Sequence, residues 1–138
     1  MIRIRIIAVL SLLTTTLCIS AQRQFQGLFT NEQFNIKSEV NLYECDIPIP
    51  GFEIDSCYAY LQGRINGQWM VIRVKELTET KAVVRAVSER GGDVHDIELK
   101  LTKDGDLELR QIGRSYIKCI GDGKYVSMPK PLLLKRMK

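Results

Sequence analysis

A hydrolase built on a serine or cysteine nucleophile needs an imidazole beside it, and this chain holds a single histidine, His95. It sits in Asp93-Val94-His95-Asp96, just after the glycine pair Gly91-Gly92. Counting by twos from Ile97 puts His95 on the apolar side of a strand, at the strand's open end. That is the position of a partly exposed strand-end histidine, and no spacing couples it to Cys119. Paired carboxylates could do acid–base work, but Glu76, Glu79, Asp93, Asp96 and Asp106 fall at turns and rims. Asp104-Gly105-Asp106 echoes part of a calcium loop without the glutamate that completes one. Gly121-Asp122-Gly123 is too short to cradle a phosphate, and the cysteines and the histidine lack zinc-site spacing. The chain is therefore expected to be non-enzymatic, with no catalytic residue, no metal and no cofactor.

Recognition chemistry is better represented. Tyr58, Tyr60, Arg64, Trp69 and Arg73 flank Asn66-Gly67, a pair whose tolerance of positive φ suits a two-residue type I′ turn. Such a turn sets Ile65 opposite Gln68, Leu61 opposite Ile72 and Ala59 opposite Val74. Ala59, Leu61, Met70, Ile72 and Val74 then share one face. The other face carries the aromatic and cationic residues, with Arg64 across from Trp69 and Tyr60 across from Arg73. Aromatic rings and arginines dominate binding hot spots, so this face is the expected ligand-binding surface, for a protein or a glycan. As a merely stabilised outer wall, its cross-strand pairs would contribute roughly 0.2–1 kcal/mol each.

Strands must position these residues. Apolar side chains mostly alternate, and turn residues recur at short intervals. Strands are expected near 25–30, 36–45, 53–65, 68–77, 81–89, 94–102, 106–112, 115–121, 124–128 and 132–136, paired as antiparallel hairpins because the connections are short. Asp122-Gly123 sets Cys119 opposite Val126 and Ile117 opposite Met128, with Cys119 toward the core. At Lys103-Asp104-Gly105 a two-residue turn would oppose Leu101 with Glu108 and scramble the faces. A three-residue loop with a left-handed glycine instead opposes Leu101 with Leu107 and Leu99 with Leu109. Reversals are also expected at Gly91-Gly92 and Thr78-Glu79-Thr80, and a break at Pro129 and Pro131. So many short strands must dispose of their edges, and closure does so most completely. The expected fold is all-β: a small antiparallel up-and-down barrel of about 8–10 strands, lipocalin-like in architecture, with a two-sheet β-sandwich as the alternative.

The N-terminus speaks to compartment. Arg3 and Arg5 precede an apolar or hydroxyl run from Ile6 to Ser20, then Ala21 and Gln22. A basic start, a short apolar centre and a small exit residue make a secretory signal peptide, shorter than the roughly 20 apolar residues of a permanent span. Cleavage is expected after Ala21, leaving 22–138 as a single β domain. Cys18 is not a lipidation site, because Leu17 and Thr15 are the wrong neighbours. Removing Arg3 and Arg5 from the twenty basic residues leaves eighteen against sixteen acidic ones, a net charge of +2, which argues against nucleic acid as a partner. Lys130, Lys135, Arg136 and Lys138 read as a solvated basic tail.

Export permits disulfides. Cys45, Cys57 and Cys119 make an odd set, so one thiol is left over. Cys45 and Cys57 flank the loop Ile47-Pro48-Ile49-Pro50-Gly51 and are the expected bridge, with Cys57 to Cys119 as the rival.

Leu42-Tyr43-Glu44, Ile49-Pro50-Gly51, Tyr60-Leu61 and Met128-Pro129-Lys130, together with the signal ending in Ala-Gln, resemble small secreted single-domain β proteins of Bacteroidota. The resemblance implies export from a Gram-negative cell, to the periplasm, cell surface or medium, and implies no activity. The function expected is that of an exported non-enzymatic binding module. The alternatives are a barrel carrier of a small apolar ligand and an inhibitor or immunity protein of an exported enzyme.

Overall fold

The structure is a computed structural model and describes residues 24–138 apart from Asp93 and the side chains of Glu53 and Ile54. The expected signal segment 1–21 lies outside the described residues. The strands are β1 (Gln26–Asn31), β2 (Ile36–Asn41), β3 (Ile47–Ile49), β4 (Phe52–Cys57), β5 (Ala59–Gln62), β6 (Trp69–Leu77), β7 (Lys81–Ser88), β8 (Val94–Leu101), β9 (Leu107–Gln111), β10 (Lys118–Gly121), β11 (Lys124–Ser127) and β12 (Leu132–Arg136). Eight of them close an antiparallel ring in the order β1-β12-β9-β8-β7-β6-β5-β2. Sequence neighbours are therefore spatial neighbours, and β12 returns to β1. This is the up-and-down barrel, not the sandwich. Two hairpins, β3-β4 and β10-β11, leave the ring and pair only with themselves.

Several registers follow directly from side-chain alternation. Leu99 faces Leu109 and Leu101 faces Leu107. The Gly105 amide bonds back to the Thr102 carbonyl, and Gly105 takes φ +86, so the loop has three residues. Cys119 faces Val126 across β10-β11. In β7 and β8, Ala82, Val84, Ala86, His95, Ile97 and Leu99 are buried. Lys81, Arg85, Asp96 and Glu98 point outward, where Lys75 and Arg85 pair with Asp96, and Lys81 with Glu98. The core fills the barrel from Phe25 and Phe29 at one end to Ile65, Ile117 and Cys119 at the other.

The Asn66-Gly67 hairpin departs from expectation. Leu61 pairs with Trp69, Tyr60 with Met70 and Ala59 with Val71, three residues off the two-residue turn. An odd slip exchanges the faces of β6, so Trp69 and Val71 point inward while Ile72 is 49% exposed. The physical cause lies in the turn: Asn66 is not at positive φ; its side chain accepts from the Lys118 amide at 2.8 Å and donates to the Tyr116 carbonyl at 2.8 Å. Further along, against β7, β6 carries two bulges, between Val71 and Arg73 and between Val74 and Glu76, each of which resets the alternation beyond it.

Candidate functional site

The barrel interior is filled. A void of about 30 Å³ inside it is bounded by Ser38, Trp69, Val71, Ala86 and Leu109 among others, room for about one water molecule. Trp69 is 4% exposed, and its indole Nε1 finds no acceptor among the described residues.

Both mouths are closed by the chain itself. At one, the segment Tyr116–Cys119 is strapped across the opening. The buried Gln111 side chain accepts from the Ile117 amide at 2.9 Å and donates to the Ile117 carbonyl at 3.0 Å. Asn66 holds the next residues, and an isolated bridge joins Ile65 to Cys119. His95 lies under this strap, its ring edge-on to Tyr116 at 5.1 Å. Expected to be partly exposed, it is 2% exposed because the strap covers the strand end, with Nε2 unpartnered among the described residues. Burial holds its imidazole below the ordinary range, against the opposing effects of a hydrogen bond to Gln111 and the charge of Asp96.

At the other mouth stands Arg136, which is no solvated tail residue. Its guanidinium donates to the carbonyls of Gly105 at 2.9 Å, Gln26 at 2.8 Å and Gln24. It also lies 4.6 Å from the centroid of the Phe29 ring. Alternation from Leu132 and Leu134 aims Arg136 inward, a signal the sequence does carry.

The expected ligand-binding residues do not form one surface. Trp69 is in the core. Tyr60 points outward but is only 6% exposed, because the β3-β4 hairpin folds over it: Ile47, Cys57 and Tyr60 form a second small core with Ile49 and Met70 packed on it. The hairpin tip is tied down by Gln68 Nε2 donating to the Pro50 carbonyl at 3.2 Å. Tyr58, at the kink between β4 and β5, is half-buried against the main core. Arg64 and Arg73 are exposed without the aromatic partners the turn register would have given them.

The Cys45–Cys57 bridge is also absent: all three thiols are free. Ile47, not Cys45, sits opposite Cys57, whose thiol faces the hairpin's small core. Burial pushes the Cys57 thiol up to about 11, with the Ala59 backbone lowering it and Cys45 and Glu39 adding slightly. Burial raises the Cys119 thiol as well. The rival Cys57–Cys119 bridge fails because Cys57 lies outside the barrel wall, under one hairpin, and Cys119 inside, under the other.

A larger recess lies on the outside of the wall. A groove of about 600 Å³ runs between the outer face of β1-β2, the start of β3 and the residues after β12. Leu28, Ile47, Pro48 and Met137 give it apolar sides, and Glu39 and Asp46 bring carboxylates. The buried Asn41 side chain fixes one of these, donating to Asp46 Oδ1 at 3.0 Å while accepting from the Tyr43 amide at 3.1 Å. Glu39 faces Tyr60 across β2-β5. Burial raises the Tyr60 phenol, and the Glu39 charge adds to it. Nothing in the sequence singles out Glu39 and Asp46, because only the fold-back of β3 brings them to one groove. Among the described residues no helix is long and apolar enough to cross a membrane. No family model, curated protein or solved structure matches this chain.

Proposed function

We propose that this chain is exported by its first twenty-one residues and acts as a non-enzymatic binding module that engages a protein partner through the outside of its barrel. The contrast in free space carries the reading: about 30 Å³ inside a barrel closed at both mouths, against about 600 Å³ in an open groove on its wall. Small-molecule sites generally occupy some 300–1,000 Å³, so the interior supports the carrier reading poorly. An inhibitor of an exported enzyme is the same surface reading with an enzyme as partner. The resemblance to secreted β proteins of Bacteroidota and the basic-apolar N-terminus support a Gram-negative exported compartment.

The test is native mass spectrometry of the mature protein recovered from the exported fraction, followed in parallel by emission of Trp69, the only tryptophan. A polypeptide adduct that leaves Trp69 emission unchanged supports the proposal. A small-molecule adduct that is released only on unfolding and alters Trp69 emission would put the ligand inside the barrel and overturn it.

A further inference from the structure

Resting on that surface reading, we propose that the groove between β1-β2 and β3 takes an extended segment of the partner protein that presents arginine or lysine between apolar side chains. Charge and shape both point to this occupant. Among the described residues, Glu39 and Asp46 line the groove against a single lining cation, Lys138. No ion pair within 4.0 Å engages either carboxylate among the described residues, where the recorded pairs use Asp96 and Glu98 instead. One oxygen of Asp46 is held by Asn41, and its second accepts no hydrogen bond from the described residues. Around the carboxylates stand exposed Leu28, Pro48 and Met137 and the buried Ile47. Apolar side chains of an extended segment can rest on these while its cations reach the carboxylates.

The walls are rigid before any partner arrives. Asn41 is 2% exposed and ties β2 to the chain after it through Asp46 and Tyr43. Arg136 anchors the backbone of Gln24 and Gln26 at the other wall. A preformed site loses less conformational entropy on binding. Recognition here runs through side chains rather than strand addition. The barrel strands are paired on both edges, and the free edge of β3 has Pro48 at its middle, which offers no N–H.

Two five-residue blocked peptides test this, Val-Arg-Leu-Arg-Ile and its counterpart with glutamate at both arginine positions, titrated into the 15N-labelled mature protein. The basic peptide is expected to bind and the acidic one not, with amide shifts confined to 26–28, 39–41 and 46–48. Added salt should weaken binding, since exposed charges are screened. Glu39→Gln with Asp46→Asn removes both charges and keeps an acceptor for Asn41. It should weaken the basic peptide about tenfold, as loss of complementary charge does at such surfaces. The wild-type map decides the matter even where that variant folds poorly. Equal binding of both peptides, shifts elsewhere on the barrel, or no shift at millimolar peptide overturns the proposal. If these peptides fail while native mass spectrometry still finds a bound polypeptide, the groove assignment falls and the surface reading stands.

Discussion

Trp69 fills the barrel core with a large ring whose N–H finds no partner among the described residues, and this pairing of good packing with an orphan donor has measurable consequences. Trp69→Ala should cost about 3–5 kcal/mol in urea unfolding, as other large-to-small changes of buried aromatics do. Trp69→Phe removes the unpaired donor along with part of the ring, so it should recover most of that loss. A Trp69→Ala protein as stable as the parent would mean the indole is not core. Arg136 makes the opposite case: a charged side chain whose fork meets three carbonyls and one aromatic ring. Lysine cannot reproduce that fork. Arg136→Lys should therefore lower stability by about 2–3 kcal/mol, the scale of hydrogen bonds to a charged group, with little recovery from the retained charge. Gly63 marks a close approach of backbones. A Cβ there, at φ +144, would lie 2.7 Å from the Ile36 Cα and closer still to the Asn35 carbonyl oxygen. Gly63→Ala should cost about 2–4 kcal/mol through strain and overpacking combined, whereas Gly51→Ala meets no atom within 4 Å and should cost less.

At the scale of elements, the strap over the barrel mouth and the histidine beneath it form a pH-dependent unit. His95 is held neutral by burial, below its ordinary 6.5. The unfolded chain takes up a proton near 6.5 while the native state does not, so the stabilisation is complete above that pH and is lost as pH falls toward the lower native value. Asp96 behaves separately. Hydrogen bonds from Arg85 and then Lys75 hold it below its ordinary 3.8, so it stays ionised through the histidine window and its contribution is lost only at more acid pH. Urea unfolding at a series of pH values should show stability falling below pH 6.5 in the parent and a flattened response in His95→Gln. An unchanged slope in that variant would assign the pH dependence to other groups. The same elements show what could be read in advance. The Leu99–Leu109 and Cys119–Val126 registers were legible because apolar and polar residues alternate cleanly there. Trp69-Met70-Val71-Ile72 is apolar at every position, so either parity satisfied the pattern. Asn66-Gly67 looked like a turn when its asparagine was in fact a clamp for Tyr116 and Lys118.

For the whole molecule, the ring was legible and the two excursions were not, which is also why the site moved. Short connections and repeated reversals specify an up-and-down barrel. Nothing local reveals that β3-β4 folds back over Tyr60 and Met70, because that contact joins segments only after the ring has closed. The covering of Tyr60 and the gathering of Glu39 and Asp46 are both products of this fold-back. Closure should also divide stability unevenly. β7 is paired along most of its length on both sides, by β6 and β8, and its inward residues Ala82, Val84 and Ala86 are fully buried. β10-β11 pairs only with itself, its β11 residues are all exposed, and it meets the ring through the Ile65–Cys119 bridge and the side chains of Asn66 and Gln111. Few buried apolar contacts and exposed backbone bonds mark segments that open locally. Native-state hydrogen exchange in low denaturant should therefore find β7 and β8 amides exchanging only through global unfolding and β10-β11 amides through a lower-energy opening. Asn66→Ala should lower that opening energy further without changing exchange in β7. If β10-β11 instead exchanges with the barrel core, the strap belongs to the single cooperative unit. Protonating His95 would then loosen the barrel as a whole rather than its mouth.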